Sequence, residues 1–230
     1  MEKAFIQMKK NTVDAKEQLK KSKYVTYINP NGNGKRIMFV GNSITLHGIK
    51  EDIGWHNEWG MAASAKEKDY VHRMIDMISE ISEDCAFCIC QVAVWEQEYK
   101  NGTSVYDLFK DARDFQADII IMRFVENCPA RDYDSKVFKK ELNSFLNYLS
   151  FKSETNIIMS TGFWHHPADE TIVEYANERN LPLVELGDLG ERDEMKAVGC
   201  FEHVGVANHP GDLGMKEIAE RLFNKIVKVL

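Results

Sequence analysis

At 230 residues, 44% hydrophobic and 28% charged, the chain has the profile of one globular domain, long enough to bury a real core. A formal net charge of -7 argues against a nucleic-acid backbone or an anionic membrane as the main partner, since both ask for a positive face. No apolar run reaches transmembrane length and the start, Met1 to Lys10, lacks the unbroken apolar core of a signal peptide, so a cytoplasmic location is expected.

Residues 1 to about 22 place Phe5, Met8, Val13 and Leu19 among many lysines, a loose helical pattern on a solvated segment. Asn29 to Gly34 is turn chemistry throughout. The expected division is therefore a helical extension, 1–34, and a main domain, 35–230. An apolar stripe on the extension would dock onto the domain or onto a second chain, which makes a homo-oligomer a candidate state.

From Arg36 onward short apolar runs alternate with longer amphipathic ones. The short runs are Ile37 to Val40, Ala86 to Val94, Ala117 to Phe124, Asn156 to Phe163 and Leu181 to Leu186. Helical periodicity covers Met61 to Ile81, about Val105 to Phe115, Lys136 to Phe151, Asp169 to Asn180 and about Leu213 to the end. Near-continuous apolar strands separated by helices predict a three-layer α/β/α sandwich, flavodoxin-like, around a parallel sheet of about five strands. The five cysteines are an odd number, which speaks against structural disulfides. Cys85, Cys88 and Cys90 lie inside an apolar run with no turn between them, so buried thiols are expected in preference to a zinc site.

Ligands on such sheets bind beyond the carboxyl ends of the strands. Those ends offer Ser43; Trp95, Glu96 and Glu98; Arg123, Glu126 and Asn127; Trp164, His165 and His166; and Glu185 and Asp188. His209 stands in a loop before the last helix, on the same edge as Ser43. A hydroxyl and an imidazole on one rim suit a nucleophile and its base. The blander reading of Ser43 or Thr45 is a helix cap. Arg123 is expected to support the loop that follows it.

With Gly41-Asn-Ser-Ile-Thr45, then Glu126-Asn127, then His209-Pro210, the chain resembles the SGNH (GDSL-like) hydrolase family over most of residues 35 to 230. The Trp59-Gly-Met-Ala-Ala-Ser64 stretch looks like an element of bacterial acylhydrolases within that family. The resemblance implies a serine esterase that needs no cofactor and no metal. Ser43 is then the nucleophile and His209 the general base, with the Ser43 N–H and the Asn127 side chain as oxyanion donors. It also implies a small-molecule or carbohydrate ester as substrate, an O-acetyl group in particular.

Three positions depart from the family pattern: Asn42 stands where Asp is usual, Val125 where Gly is usual, and Val206 where the acid supporting the histidine is usual. What orients His209 is left between a backbone carbonyl and an acid from elsewhere, with Glu126, Glu202 and Asp188 as candidates. Trp55, Trp59, Trp95, Trp164 and His165 are the expected substrate wall. Two alternatives stand beside the esterase. One is a metal-dependent hydrolase drawing on the histidines with Asp188, Glu126 and Glu202 as oxygen ligands. The other is a catalytically weak carbohydrate-binding or interaction module, motivated by Val206.

Overall fold

The computed structural model describes residues 24–150 and 154–230. Its centre is a six-stranded sheet in the order β1-β3-β2-β4-β5-β6. The strands are β1 (Val25–Ile28), β2 (Arg36–Gly41), β3 (Ala86–Gln91), β4 (Ile119–Arg123), β5 (Asn156–Ser160) and β6 (Leu183–Val184). The five from β2 to β6 are parallel, as expected, and all of β2 beyond Arg36, with all of β3 and β4, is buried.

Burial on both faces explains the unbroken apolar runs. Met38, Val40, Cys88, Cys90, Ile120 and Met122 face one way, toward α2 (Ala93–Glu98), α3 (Lys110–Asp114), α4 (Ser135–Leu149) and α5 (Ala168–Glu178). Ile37, Phe39, Phe87, Ile89, Ile119 and Ile121 face the other way. There they meet α1 (Tyr70–Ser79) and, after the short helices α6 (Gly187–Gly190) and α7 (Val204–Ala207), the last helix α8 (Asp212–Ile226). The two layers follow from the period of two along each strand. Cys85, Cys88, Cys90 and Cys128 are buried free thiols and Cys200 is exposed.

Two expectations are corrected. Residues 1–23, which carry most of the expected helical extension, lie outside the described residues, but the described part is no helix. Val25–Ile28 pairs antiparallel with β3 at the sheet edge, so the sheet begins before residue 34. The expected helix over Met61 to Ile81 is helical only from Lys66, with one 3₁₀ turn (Lys66–Lys68) before α1. The reason is local hydrogen bonding. The N–H groups of Gly60, Met61 and Ser64 donate to the Asp69 carboxylate, the Ser43 carbonyl and the Asp212 carboxylate, and Ala62 turns left-handed at φ 75°. A residue at positive φ breaks a right-handed helix, and the three hydrogen bonds hold the stretch as a loop.

Candidate active site

Strand β2 ends at Gly41, where any Cβ would collide with the Thr45 side chain and the Arg123 carbonyl. Only glycine lets the chain turn there and lift the next residues above the sheet. Ser43 is half-buried in that turn, and its Oγ lies 2.8 Å from His209 Nε2. Among the described residues the Ser43 N–H has no protein acceptor. The other ring nitrogen, His209 Nδ1, is 2.6 Å from the carbonyl of Gly205. Nδ1–H therefore donates to that carbonyl, and Nε2 is left as the acceptor facing the serine. Burial lowers the His209 pKa to about 4, against the pull of the Gly205 carbonyl. The imidazole is neutral over the whole range in which an ordinary histidine titrates.

Of the expected orienting groups it is the backbone carbonyl that meets His209; Glu126, Glu202 and Asp188 do not. Asp188 is held by Arg221 through two hydrogen bonds. Glu202 is exposed. Glu126 belongs to a buried cluster beneath the serine. Val206, where an acid is usual, is buried among Ile53, Trp55 and Met61, a setting that would strand a carboxylate away from water.

The cluster is the part of the site least visible in the sequence. Arg123, wholly buried, donates to both oxygens of Glu126, at 2.7 and 2.9 Å, and to Asn42 Oδ1 at 2.6 Å. Asn42 Nδ2 donates in turn to Glu126 (2.5 Å) and to Glu96 (3.1 Å). Glu96 also accepts the Val125 N–H at 2.6 Å and Asn127 Nδ2 at 2.8 Å. Burial works to raise the Glu126 pKa, but Arg123 and the Phe163 N–H outweigh it and hold the carboxyl below its ordinary value. Burial and the neighbouring Glu126 push Glu96 up to about 7, against the N–H groups of Asn127, Val125 and Asn42. Arg123 thus has the supporting role expected of it.

Asn42 has a physical reason to replace Asp: only an amide can donate to two carboxylates while accepting from a guanidinium. Val125, standing where glycine is usual, has φ 130°, a region that a β-branched side chain adopts only under constraint. Asn127, the expected oxyanion donor, is half-buried beside it, with one amide hydrogen engaged by Glu96.

The tryptophans divide. Trp164 is half-buried and meets the His209 ring edge-on at 5.3 Å, so it flanks the dyad. Trp59 is also half-buried, and its ring nitrogen donates to the Ala63 carbonyl. Trp95 and Trp55 are corrections, for both are fully buried. Trp95 stacks on Phe145 at 4.6 Å on the α4 side of the sheet, and Trp55 packs on Trp59 and Phe201. Neither is a wall for a ligand.

His165 is exposed beside Glu191. With Asp188 it lines a groove of about 510 Å³ rimmed by Asp169, Glu170, Glu185 and Glu191, beyond β5 and β6. The histidines of the metal alternative are engaged separately. His166 meets the Cys128 carbonyl and the Ala168 N–H, and His203 caps α7. Among the described residues no group of three or more His, Cys, Asp or Glu side chains is placed to hold a metal ion.

The Trp59 to Ser64 stretch braces both halves of the dyad. The Met61 N–H donates to the Ser43 carbonyl at 2.8 Å. The Ser64 N–H and hydroxyl donate to Asp212, three residues after His209, at 2.8 and 2.7 Å. In the sequence Glu96 is marked only as a strand-end residue, and nothing in the residue types marks Gly205, Asp69 or Asp212.

No family model matches the chain, and no curated protein sequence matches it. Solved structures do. A two-domain esterase active on acetylated mannans, co-crystallised with mannopentaose, superposes with a TM-score of 0.56 at 15% identity, covering 87% of this chain and 52% of that one. This chain thus spans about half the length of that esterase. An acetyl xylan esterase superposes with a TM-score of 0.53 at 16% identity, covering 83% of this chain and 99% of that one. A protein assigned to the lipolytic G-D-S-L family, from Desulfitobacterium hafniense DCB-2, gives 0.51 at 13% identity, covering 83% and 98%. Identities this low speak to architecture, and the architecture agrees in its parallel sheet flanked by helices: the chain has the fold of the GDSL-type, or SGNH, hydrolases.

Proposed function

We propose that this protein hydrolyses carboxylic esters through an acyl-enzyme on Ser43. The observation that carries the proposal is the 2.8 Å contact between Ser43 Oγ and a His209 whose other nitrogen is fixed on the Gly205 carbonyl. Neutral His209 takes the serine proton at Nε2 as Oγ attacks the ester carbonyl. The tetrahedral oxyanion is received by the Ser43 N–H and the free hydrogen of the Asn127 amide. Collapse expels the alcohol, which takes the proton from His209. Water then repeats the sequence on the acyl-serine and releases the acid.

An O-acetyl group on a carbohydrate is the favoured substrate. Two of the structural neighbours act on acetylated polysaccharides by name, and Trp164, half-buried beside His209, is a side chain of the kind on which sugars stack. The binding-module reading rested on the missing acid at Val206; the Gly205 carbonyl takes over that orienting role. No contact of the histidines favours the metal-dependent reading.

The test is release of p-nitrophenol from p-nitrophenyl acetate and butyrate, with and without EDTA. Wild type is expected to hydrolyse the acetate faster than the butyrate whether or not chelator is present, and Ser43→Ala to fall to background. A mutant that keeps the wild-type rate sinks the proposal.

A further inference from the structure

Glu96 is a buried carboxylate that the proposed ester hydrolysis does not itself use. It is fully buried at the start of α2, and its contacts are all nitrogen donors: Val125 N–H at 2.6 Å, Asn127 Nδ2 at 2.8 Å, Asn42 Nδ2 at 3.1 Å and Asn127 N–H at 3.4 Å. A carboxyl withdrawn from water is unfavourable unless its partners are in place. Here three of the four bonds go to the short segment that carries the expected oxyanion donor.

The Asn127 side chain turns about two bonds, and a half-exposed amide free to turn samples several rotamers. A donor that must reorganise as charge develops contributes less than one already fixed. Glu96 Oε2 engages one amide hydrogen, which fixes the plane of the amide and leaves the second hydrogen for a ligand. Glu96 Oε1 engages Val125, whose φ of 130° a valine adopts only when its surroundings impose it.

We propose that Glu96 is a positioning residue for ester hydrolysis, holding the Asn127 amide and the turn that carries it in the geometry that receives the oxyanion. The inference rests on the reading of Ser43 as nucleophile and Asn127 as oxyanion donor.

It is tested by a double-mutant cycle on p-nitrophenyl acetate. The variants are Glu96→Gln, Asn127→Ala and the two combined, with Ser43→Ala measured first. Glu96→Gln alone is expected to lower kcat about tenfold to a hundredfold with KM within about twofold. In the Asn127→Ala background the same change is expected to lower kcat by less than about threefold, because the donor it positions is gone. No loss, a loss confined to KM, or the same loss in both backgrounds overturns the inference, the last because a general role in folding acts regardless of Asn127. Should Glu96→Gln fail to fold, Glu96→Asp, which keeps the charge and withdraws it by one methylene, runs through the same cycle under the same criterion. Hydrolysis that survives Ser43→Ala defeats the esterase reading itself and this inference with it; a Ser43-dependent rate with an additive cycle defeats this inference alone.

Discussion

At the scale of single residues, the proposed dyad rests on a histidine that a backbone carbonyl, and no acid, orients. The Gly205 carbonyl fixes the tautomer, and burial keeps the ring neutral, with a pKa of about 4. The basic form is the deprotonated one, so the rate rises as the proton leaves. The acid limb that His209 contributes to kcat/KM is therefore expected near pH 4, well below that of an ordinary imidazole. Glu96, pushed up to about 7, is expected to add a second limb near that pH, which Glu96→Gln removes. A limb between about pH 6 and 7 that persists in Glu96→Gln would contradict this. Ser43 and His209 were legible in the sequence because a hydroxyl after a strand and an imidazole before the last helix fall on one rim. Gly205 was not, because every residue carries a carbonyl and nothing in the residue type marks the one that is used. Trp95 and Trp55 were misplaced for a related reason: indole rings serve a core as well as a wall, and only the packing says which.

At the scale of elements, the site stands where β2, β4 and α2 meet, and one buried polar cluster joins their ends. Asn42 follows β2, Arg123 ends β4, Glu126 follows it, and Glu96 lies on α2. A single guanidinium serves two carboxyls there, so the balance depends on residue 42 staying an amide. Asn42→Asp removes two donated hydrogen bonds and adds a third carboxyl. At pH 8, where Glu96 is largely ionised, it is expected to destabilise the fold by about 3 to 5 kcal/mol. Urea unfolding measures this, and a loss below about 1 kcal/mol would show that the cluster reorganises freely. Strands and helices were legible because apolar runs and amphipathic periods are local. The cluster was legible only in part: Arg123 and Glu126 lie three apart and suggest a pair, whereas Glu96 joins them only because β2 pairs with both β3 and β4, which brings α2, following β3, against the residues after β4. The loop over 61–65 is illegible for the same kind of reason, since Ser43 and Asp212, which accept its Met61 and Ser64 N–H groups, are both remote in sequence.

At the scale of the whole molecule, five parallel strands were readable from their apolar runs, and the antiparallel edge strand was not. Val25–Ile28 is short and only partly buried, follows a lysine-rich stretch and precedes a long turn, so nothing local distinguishes it from the segment before it. It covers the β3 edge of the sheet with partly buried residues. In this chain the fold places Ser43 and His209 together, and the proposed mechanism requires Ser43 to be the nucleophile. The most direct test is covalent: treat the protein with a fluorophosphonate and locate the adduct by mass spectrometry. One phosphonylated peptide, containing Ser43, is expected in wild type and none in Ser43→Ala. A protein that hydrolyses p-nitrophenyl acetate yet leaves Ser43 unlabelled, or takes the label elsewhere with loss of activity, would contradict it.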